Sequence, residues 1–338
     1  MPSPSRVTLR DVAAAAHVSL TAVSFYLNDR PGLSDATRRR IAAAIEQLGY
    51  VPRSPAANTA SGFIGLLIER LPLSPFADMF YGEVIQGIES QARSLGYNVA
   101  LMTVEGSVSL AQLFKQHTGS LAGLVILGGG DINAEIIERA LHEGLPAVLV
   151  DTDSAAPTIP SVIPDYIRGA YDATNYLIGK GHRRIAFIQG SMKYRSLVER
   201  FHGYICALAD AGLLIDNALI QPSISSGVPN KGYREMKALL ERHAAFDAVF
   251  CVTDRTALNA LDALREAGVR IPDDVALLSF DNVAQASHTA PPLTTVDVYK
   301  RELGATAIDL LHRQVSAPNE RLAVKTLTPT QLIVRASA

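Results

Sequence analysis

From Phe63 onward the apolar and polar positions fall into two alternating rhythms. Short β-branched or apolar runs bounded by turn residues alternate with stretches whose apolar residues recur at helical spacing. In order they read "FIGLLIE", a helix over 79–95, "YNVALMTV", a helix over 109–117, "AGLVILG", a helix over 133–143 and "PAVLVD". After "SVIPD" the rhythm restarts with helix 166–180, "RIAFIQG", helix 194–211, "LIQP", helix 230–243, "AVFCVTD", helix 255–266 and "VALLSFD". Apolar runs without polar alternation are strands buried on both faces, so each series predicts a parallel sheet covered by helices on both sides. The restart near residues 160–164 predicts two similar doubly wound lobes. A final helix, 300–315, and a strand near 327–334 complete the chain. If the first lobe takes back that helix and the second that strand, several segments cross between the lobes. Such crossings make a hinge, with a cleft at the carboxyl ends of the strands, where ligands of open α/β sheets bind.

Residues 8–49 follow a different pattern and predict three short helices. Thr8 fits a helix cap, with Asp11 three residues on, and Val12, Ala13 and Ala16 give the first helix an apolar face. Ser19 fits the cap of a second helix carrying Ala22, Val23, Tyr26 and Leu27, and "NDRPG" is a turn cluster. Ser34 fits the cap of a third, apolar at Ile41, Ala44, Ile45 and Leu48 and ended by Gly49. The expected organisation is therefore an all-α head over 1–49, a linker over 50–62, and an α/β core over 63–338. Within the core, one lobe is expected at about 63–162 with 291–322, and the other at about 163–290 with 323–338. The first two helices, joined by a tight turn, match the helix-turn-helix pattern, whose second helix lies in the major groove. On a helical period Leu20, Thr21, Ser24, Phe25 and Asn28 face away from that helix's apolar stripe. Hydroxyls there can meet phosphates or base edges, and Leu and Phe can meet thymine methyls. An ordinary helical hairpin with a polar outer face has the same spacing, so the pattern leaves both readings open.

Composition narrows the classes. Of 338 residues, 48% are hydrophobic and 19% charged, the profile of a globular chain with a sizeable core. Net charge is −2, yet residues 1–62 hold seven arginines against four acids, leaving +3 there and −5 on the remainder. That asymmetry fits a polyanion-binding head on an acidic body, and equally a solvated surface. No run approaches the ~18 apolar residues of a membrane span, and no apolar leader opens the chain, so a cytoplasmic protein without membrane partners is expected. Cys206 and Cys251 lie in apolar periodic segments and read as buried, reduced thiols. The eight histidines show no H-E-x-x-H spacing and there is no G-x-S-x-G elbow. "LVILGGGD" lacks the G-x-G-x-x-G order and reads as a strand-end turn. No enzyme, metal or cofactor is therefore expected.

The stretch "VTLRDVAAAAHVSLTAVSFYLNDRPGLSDATRRRIAAAIEQLGYVP" resembles the head of the LacI/GalR (lactose-repressor) family of bacterial transcription regulators. "FYGEVIQGIE", "GHRRIAFIQG", "RFHGY", "GVRIPDDVALLSFDN", "PPLTTV" and "LTPTQLIVR" resemble that family's effector-binding core, in the family's order. The resemblance covers essentially the whole chain. It implies a core with the fold of periplasmic sugar-binding proteins, a homodimer on a pseudo-palindromic double-stranded DNA operator, and control by a small molecule. It places Thr8 and Leu9 on phosphates, Leu20 and Thr21 on bases, and Ser19, Ser24, Phe25 and Asn28 beside them. Ser34, Thr37 and Arg38 would hold DNA backbone, with Tyr50 and Arg53 as further contacts in the connector. Phe25 stands where many relatives carry Arg, and it cannot make a bidentate guanine contact. In the connector, Arg53 and Thr59 replace the family's Asn and its wedging Leu, so weak central kinking of the operator is expected.

For the cleft, the resemblance places Phe80, Tyr81 and Asp151 on the first lobe, and Tyr194, Ser196, Arg200, Thr253 and Asp281 on the second. Arg offers a rigid fork of donors, Asp accepts two hydrogen bonds, and an aromatic ring stacks on a sugar face or base. That set suits a neutral polyhydroxy effector, a carbohydrate or nucleoside. Asp254 and Asp281 also fit helix caps after strands, and Phe80 also fits plain core. The remaining alternative is a cytoplasmic small-molecule (sugar) binding protein, or an enzyme, without specific DNA binding.

Overall fold

In the computed structural model of the chain, the described residues are 9–19, 22, 23, 26, 33–48, 62–69, 78–104, 121–128, 144–152, 159–224, 230–318 and 323–338. They divide into two compact units, residues 1–59 and 60–338. The larger unit is organised by two six-stranded sheets. The first contains β1 (Phe63–Glu69), β2 (Asn98–Val104), β3 (Leu121–Leu127), β4 (Ala147–Val150), β5 (Ser161–Pro164) and β11 (Lys325–Thr328). Its order is β11-β5-β4-β3-β1-β2, parallel throughout. The second contains β6 (Ile185–Ile188), β7 (Ile220–Gln221), β8 (Ala248–Cys251), β9 (Ala276–Asp281), β10 (Thr294–Asp297) and β12 (Gln331–Ile333). Its order is β12-β10-β9-β8-β6-β7, parallel except where β12 runs against β10. The strands β4, β6, β8 and β9 are buried at every residue, as strands between two helical layers must be.

Helices α3 (Tyr81–Ser94) and α8 (Lys300–Ser316) pack on the first sheet, whose core joins Val84, Ile88, Leu303 and Ile308 to strand residues such as Leu66 and Val125. Against the second sheet pack α4 (Tyr166–Gly179), α5 (Arg195–Asp210), α6 (Lys231–Glu241) and α7 (Asp254–Glu266). Alpha-helices α3 and α8 approach each other through facing glycines. A Cβ on Gly87 would stand 2.0 Å from the Arg301 carbonyl oxygen, and one on Gly304 would stand 2.2 Å from that of Val84. Contact this close excludes any side chain at either position, so glycine is required at both. The expected helices over 109–117 and 133–143 lie outside the described residues.

Two expectations are corrected here. Residues 294–297, expected in the first lobe, form β10 and pair with β9 in the second sheet. Residues 325–328, expected in the second lobe, form β11 beside β5 in the first. The single strand foreseen near 327–334 is therefore two, because each sheet still has an open edge when the chain reaches it. β11 fills the edge of β5 and β12 that of β10, with Asp165 N donating to Thr328 O at 2.9 Å at the changeover. An apolar pattern specifies that a strand pairs, and not with which edge. The chain consequently crosses between lobes at residues 164–166, 297–300 and 328–331. Cys251 is buried, as expected, whereas Cys206 is exposed. The buried stripe of α5 runs through Ser196, Arg200, Gly203, Tyr204, Ala207 and Leu208, and Cys206 points to its other side.

In the smaller unit, α1 (Leu9–Ala15) and α2 (Asp35–Leu48) flank a segment with helical residues at 22, 23 and 26. Val12, Ala13, Ala16, Val23, Ile41 and Ala44 close a small core of their own. Ser19 Oγ accepts from Ala22 N at 3.1 Å and Ser34 Oγ from Thr37 N at 3.3 Å, the caps the sequence suggested.

Glu235 on α6 is buried, accepts from Ile224 N at 3.0 Å and stands 3.8 Å from Lys231 Nζ. Burial pushes its pKa up to about 7. A carboxyl raised above its unfolded value adds stability below the unfolded pKa and loses it as pH rises through the folded one. Glu235→Gln is therefore expected to stabilise the protein at pH 8, by about 1–3 kcal/mol, and to be neutral near pH 4, as read by urea unfolding at both values. Gly87→Ala forces α3 from α8 and should cost about 1–3 kcal/mol in the same assay.

Candidate functional site

Each sheet reverses its strand order once, between β1 and β3 in the first and between β6 and β8 in the second. At such a switch point the loops leave toward opposite faces and open a crevice at the carboxyl ends of the strands. The two crevices face each other. Ile68, Leu127, Gly128, Gln189, Val252 and Thr253, all at or just beyond those strand ends, line one cavity of about 310 Å³. All eight residues expected in the cleft line it too: Phe80, Tyr81, Asp151, Tyr194, Ser196, Arg200, Thr253 and Asp281.

Arg200 forms the floor. It lies one turn into α5, and its side chain is only 3% exposed. The guanidinium carbon stands 4.7 Å from the Tyr166 ring centroid and 4.2 Å from that of Phe280, a cation in contact with two adjoining rings. Nη1 donates to Val252 O at 2.8 Å. Nη2 forms an ion pair with Asp281 Oδ1 at 2.8 Å. Among the described residues Arg200 Nε remains buried without a hydrogen-bond partner. Burial works against the charge of Arg200, but Asp281, Tyr166 and Asp151 outweigh it and raise the pKa.

Two aspartates end strands in left-handed backbone, Asp151 after β4 (φ 62°) and Asp281 at the end of β9 (φ 112°). Such conformations are costly for residues with a Cβ and persist where the surroundings over-determine them. Burial pushes Asp151 up to about 6, opposed by the hydroxyl of Tyr166, which donates to its Oδ1, and by Arg200. Burial also raises Asp281, against the pull of Arg200. Asp254 is likewise raised by burial to about 6. It caps no helix: it accepts from the hydroxyls of Ser279 and Thr295 and from Val283 N, knitting β9 to β10. Asp281 does not cap a helix either. Thr253 does, accepting from Thr256 N at 3.2 Å at the start of α7. Phe80 packs on the cores of both lobes while lining the cleft, so its two readings coexist.

Three residues that join the lobes were not legible as site residues in the sequence: Asp78, Arg255 and Tyr166. Asp78 Oδ1 accepts from Phe80 N at 2.9 Å and Tyr81 N at 3.0 Å, opening α3, while its Oδ2 accepts from Arg255 Nη2 of α7. The Asp ahead of "MFYG" is a readable capping signal. Arg255 carried none, since its partner lies 177 positions away. Tyr166 was missed for the same reason: its value lies in reaching Asp151 on the other lobe.

Of the residues expected on DNA, Leu9 begins α1, and Ser19, Ser34, Thr37 and Arg38 are described. Ser19 and Ser34 are exposed, and each uses its hydroxyl on a helix start; Ser34 Oγ also lies 2.9 Å from Thr37 Oγ1. Thr8, Leu20, Thr21, Ser24, Phe25, Asn28, Tyr50 and Arg53 lie outside the described residues, as does Thr59.

Fold and site together define a two-lobed α/β core with a cleft between its lobes, and a separate small helical unit N-terminal to it in sequence. Comparison with known proteins agrees in both parts. The profile of bacterial regulatory proteins of the lacI family matches residues 8–53, and that of the periplasmic binding protein-like domain matches residues 174–338. The HTH-type transcriptional repressor PurR of Photobacterium profundum is 30% identical over 98% of this chain and 98% of its own. The solved complex of the transcriptional regulator CelR with cellobiose is 31% identical, with a TM-score of 0.74, over 98% of this chain and 100% of that one. The lac repressor dimer bound to operator and the anti-inducer ONPF is 27% identical, with a TM-score of 0.71, over 98% and 99%. The chain belongs to the LacI family of bacterial regulatory proteins. It is a DNA-binding transcriptional regulator, and its family is one of regulators rather than enzymes. No helix among the described residues is long and apolar enough to cross a membrane.

Tyr166→Phe keeps the ring against Arg200 and removes the hydroxyl that holds Asp151 down. The Asp151 pKa is expected to climb above 6, followed by carboxylate ¹³C NMR titration; an unchanged or lower value would show that the hydrogen bond does not govern it.

Proposed function

We propose that this regulator is a cytoplasmic repressor whose cleft binds a neutral polyhydroxy effector, a carbohydrate or a nucleoside, and whose paired heads bind a pseudo-palindromic operator. The observation that carries the effector reading is the mixed polar lining of the cavity, where Arg200, Asp281, Asp151, Ser196 and Thr253 converge beside the rings of Phe80 and Tyr81. Arg200 and Asp281 offset each other's charge at 2.8 Å, leaving donors and acceptors rather than an excess charge. A hydroxyl both accepts and donates, so the hydroxyls of a sugar suit such a lining. A carboxylate or phosphate would be opposed by Asp281, and an ammonium by Arg200. The family's relatives support the choice, since CelR is solved with cellobiose and the lac repressor with ONPF.

In this reading Phe80, Tyr81, Asp151, Tyr194, Ser196 and Thr253 complete the effector site. Thr8, Leu9, Ser19, Leu20, Thr21, Ser24, Phe25, Asn28, Ser34, Thr37, Arg38, Tyr50 and Arg53 contact the operator. Dimerisation follows from geometry: one head reads few base pairs, and a two-fold pair reads a palindrome with useful selectivity. The lac repressor solved on its operator is a dimer.

Thermal-shift screening of sugars and nucleosides is expected to yield a ligand that adds about 2.7 kcal/mol at a hundred times its Kd. Asp281→Asn and Arg200→Met should abolish that shift. Operator affinity measured with and without the ligand should differ, and should fall steeply with salt. A protein that prefers no genomic sequence over random duplex sinks the DNA reading; a ligand whose shift survives both substitutions sinks the site.

A further inference from the structure

Asp281 is followed by a second left-handed residue, Asn282 (φ 48°), an unusual run without glycine. The polar groups of this bend are held one by one. Asn282 N donates to Thr295 Oγ1 at 3.2 Å, Val283 N to Asp254 Oδ2 at 2.7 Å, and Arg335 Nη2 to Asn282 Oδ1 at 2.7 Å. Both carbonyls of the bend accept from one group, Lys300 Nζ, at 2.6 Å from Asp281 O and 3.0 Å from Asn282 O.

Lys300 does not belong to the lobe it holds. It is the first residue of α8, which packs on the first sheet, whereas the bend ends β9 of the second. Its ammonium also stands 3.6 Å from Glu83 Oε1 on α3 and 4.0 Å from Asp297 Oδ1. The side chain is 3% exposed. A cation in the first turn of a helix opposes the helix dipole, and burying a lysine forfeits hydration and rotamer freedom. Helix stability therefore does not account for lysine at this position; the two carbonyls and Glu83 do.

We propose that Lys300 is the positioning residue of the cleft: it fixes the Asp281–Asn282 bend, keeping the Asp281 carboxylate on Arg200, and ties that bend to the α3–α8 pair of the first lobe. The proposal rests on the reading of the cleft as the effector site. Because Lys300 contacts both the bend and Glu83 of the closely packed α3–α8 pair, a ligand that shifts Asp281 acts on the opposite lobe through this ammonium.

The test uses the full chain without ligand, so its failure is separable from a failure to find an effector. In wild-type protein labelled with ¹⁵N-lysine, one Nζ signal protected from solvent exchange is expected, and it should vanish in Lys300→Met. Hydrogen exchange at the Asn282 and Val283 amides should quicken at least about tenfold in that variant, with the amides of 276–280 unchanged. Lys300→Arg, which keeps donors and charge, should restore most of the protection. Glu83→Gln should retain protection at the bend, since the carbonyl contacts remain; it also keeps the test decisive if Lys300→Met fails to fold. Absence of a protected Nζ in wild type, loss of bend protection in Glu83→Gln, or acceleration spread evenly through β9 and β10 in Lys300→Met would each overturn the proposal.

Discussion

A guanidinium taken out of water must find charge, hydrogen bonds and polarisable faces in the protein, and Arg200 draws much of the cleft's architecture around that requirement. Tyr166 and Phe280 supply the faces, Val252 the carbonyl, and Asp281 the opposing charge. These residues come from α4, the end of β8 and the end of β9, so the floor exists only when the second sheet is assembled. Removing one partner would leave a buried charge uncompensated, which typically costs about 3–5 kcal/mol. The same burial raises Asp151 and Asp281 above ordinary carboxylates, so the floor balances its charges narrowly.

That balance is spread across a hinge. Asp151 ends a strand of the first lobe and accepts from Tyr166 of the second. Asp78 of the first lobe accepts from Arg255 of the second, and Lys300 of the first donates to carbonyls of the second. Three short crossings let the lobes rotate, while these side-chain links define an arrangement that a ligand can favour or disfavour. A ligand shifts such an equilibrium only by its difference in affinity for the two arrangements. The strained backbones at Asp151 and Asp281 place the carboxylates where that difference can be felt.

Much of this was legible in the chain itself. Runs such as "FIGLLIE" and "AVFCVTD" are apolar on both faces and alternate with helical periods, so two parallel sheets and a cleft at their strand ends follow from local pattern. Ser19 and Ser34 could be read as caps because a cap is settled within three residues. The eight expected cleft residues, found through family resemblance, do line one cavity. Asp78 is legible as a capping signal ahead of its helix, whereas its pairing with Arg255 is not.

What periodicity determined, then, was the kind of each element and the end of each sheet at which chemistry gathers, since those depend on neighbours a few residues apart. Tertiary structure alone decided which edge β10 and β11 join, and it alone matched Arg255 to Asp78 and Lys300 to the Asp281 bend. The physical reason is range: an apolar or capping pattern acts over one turn of chain, whereas an edge, an ion pair or a shared carbonyl is chosen among partners brought close only after the lobes have packed.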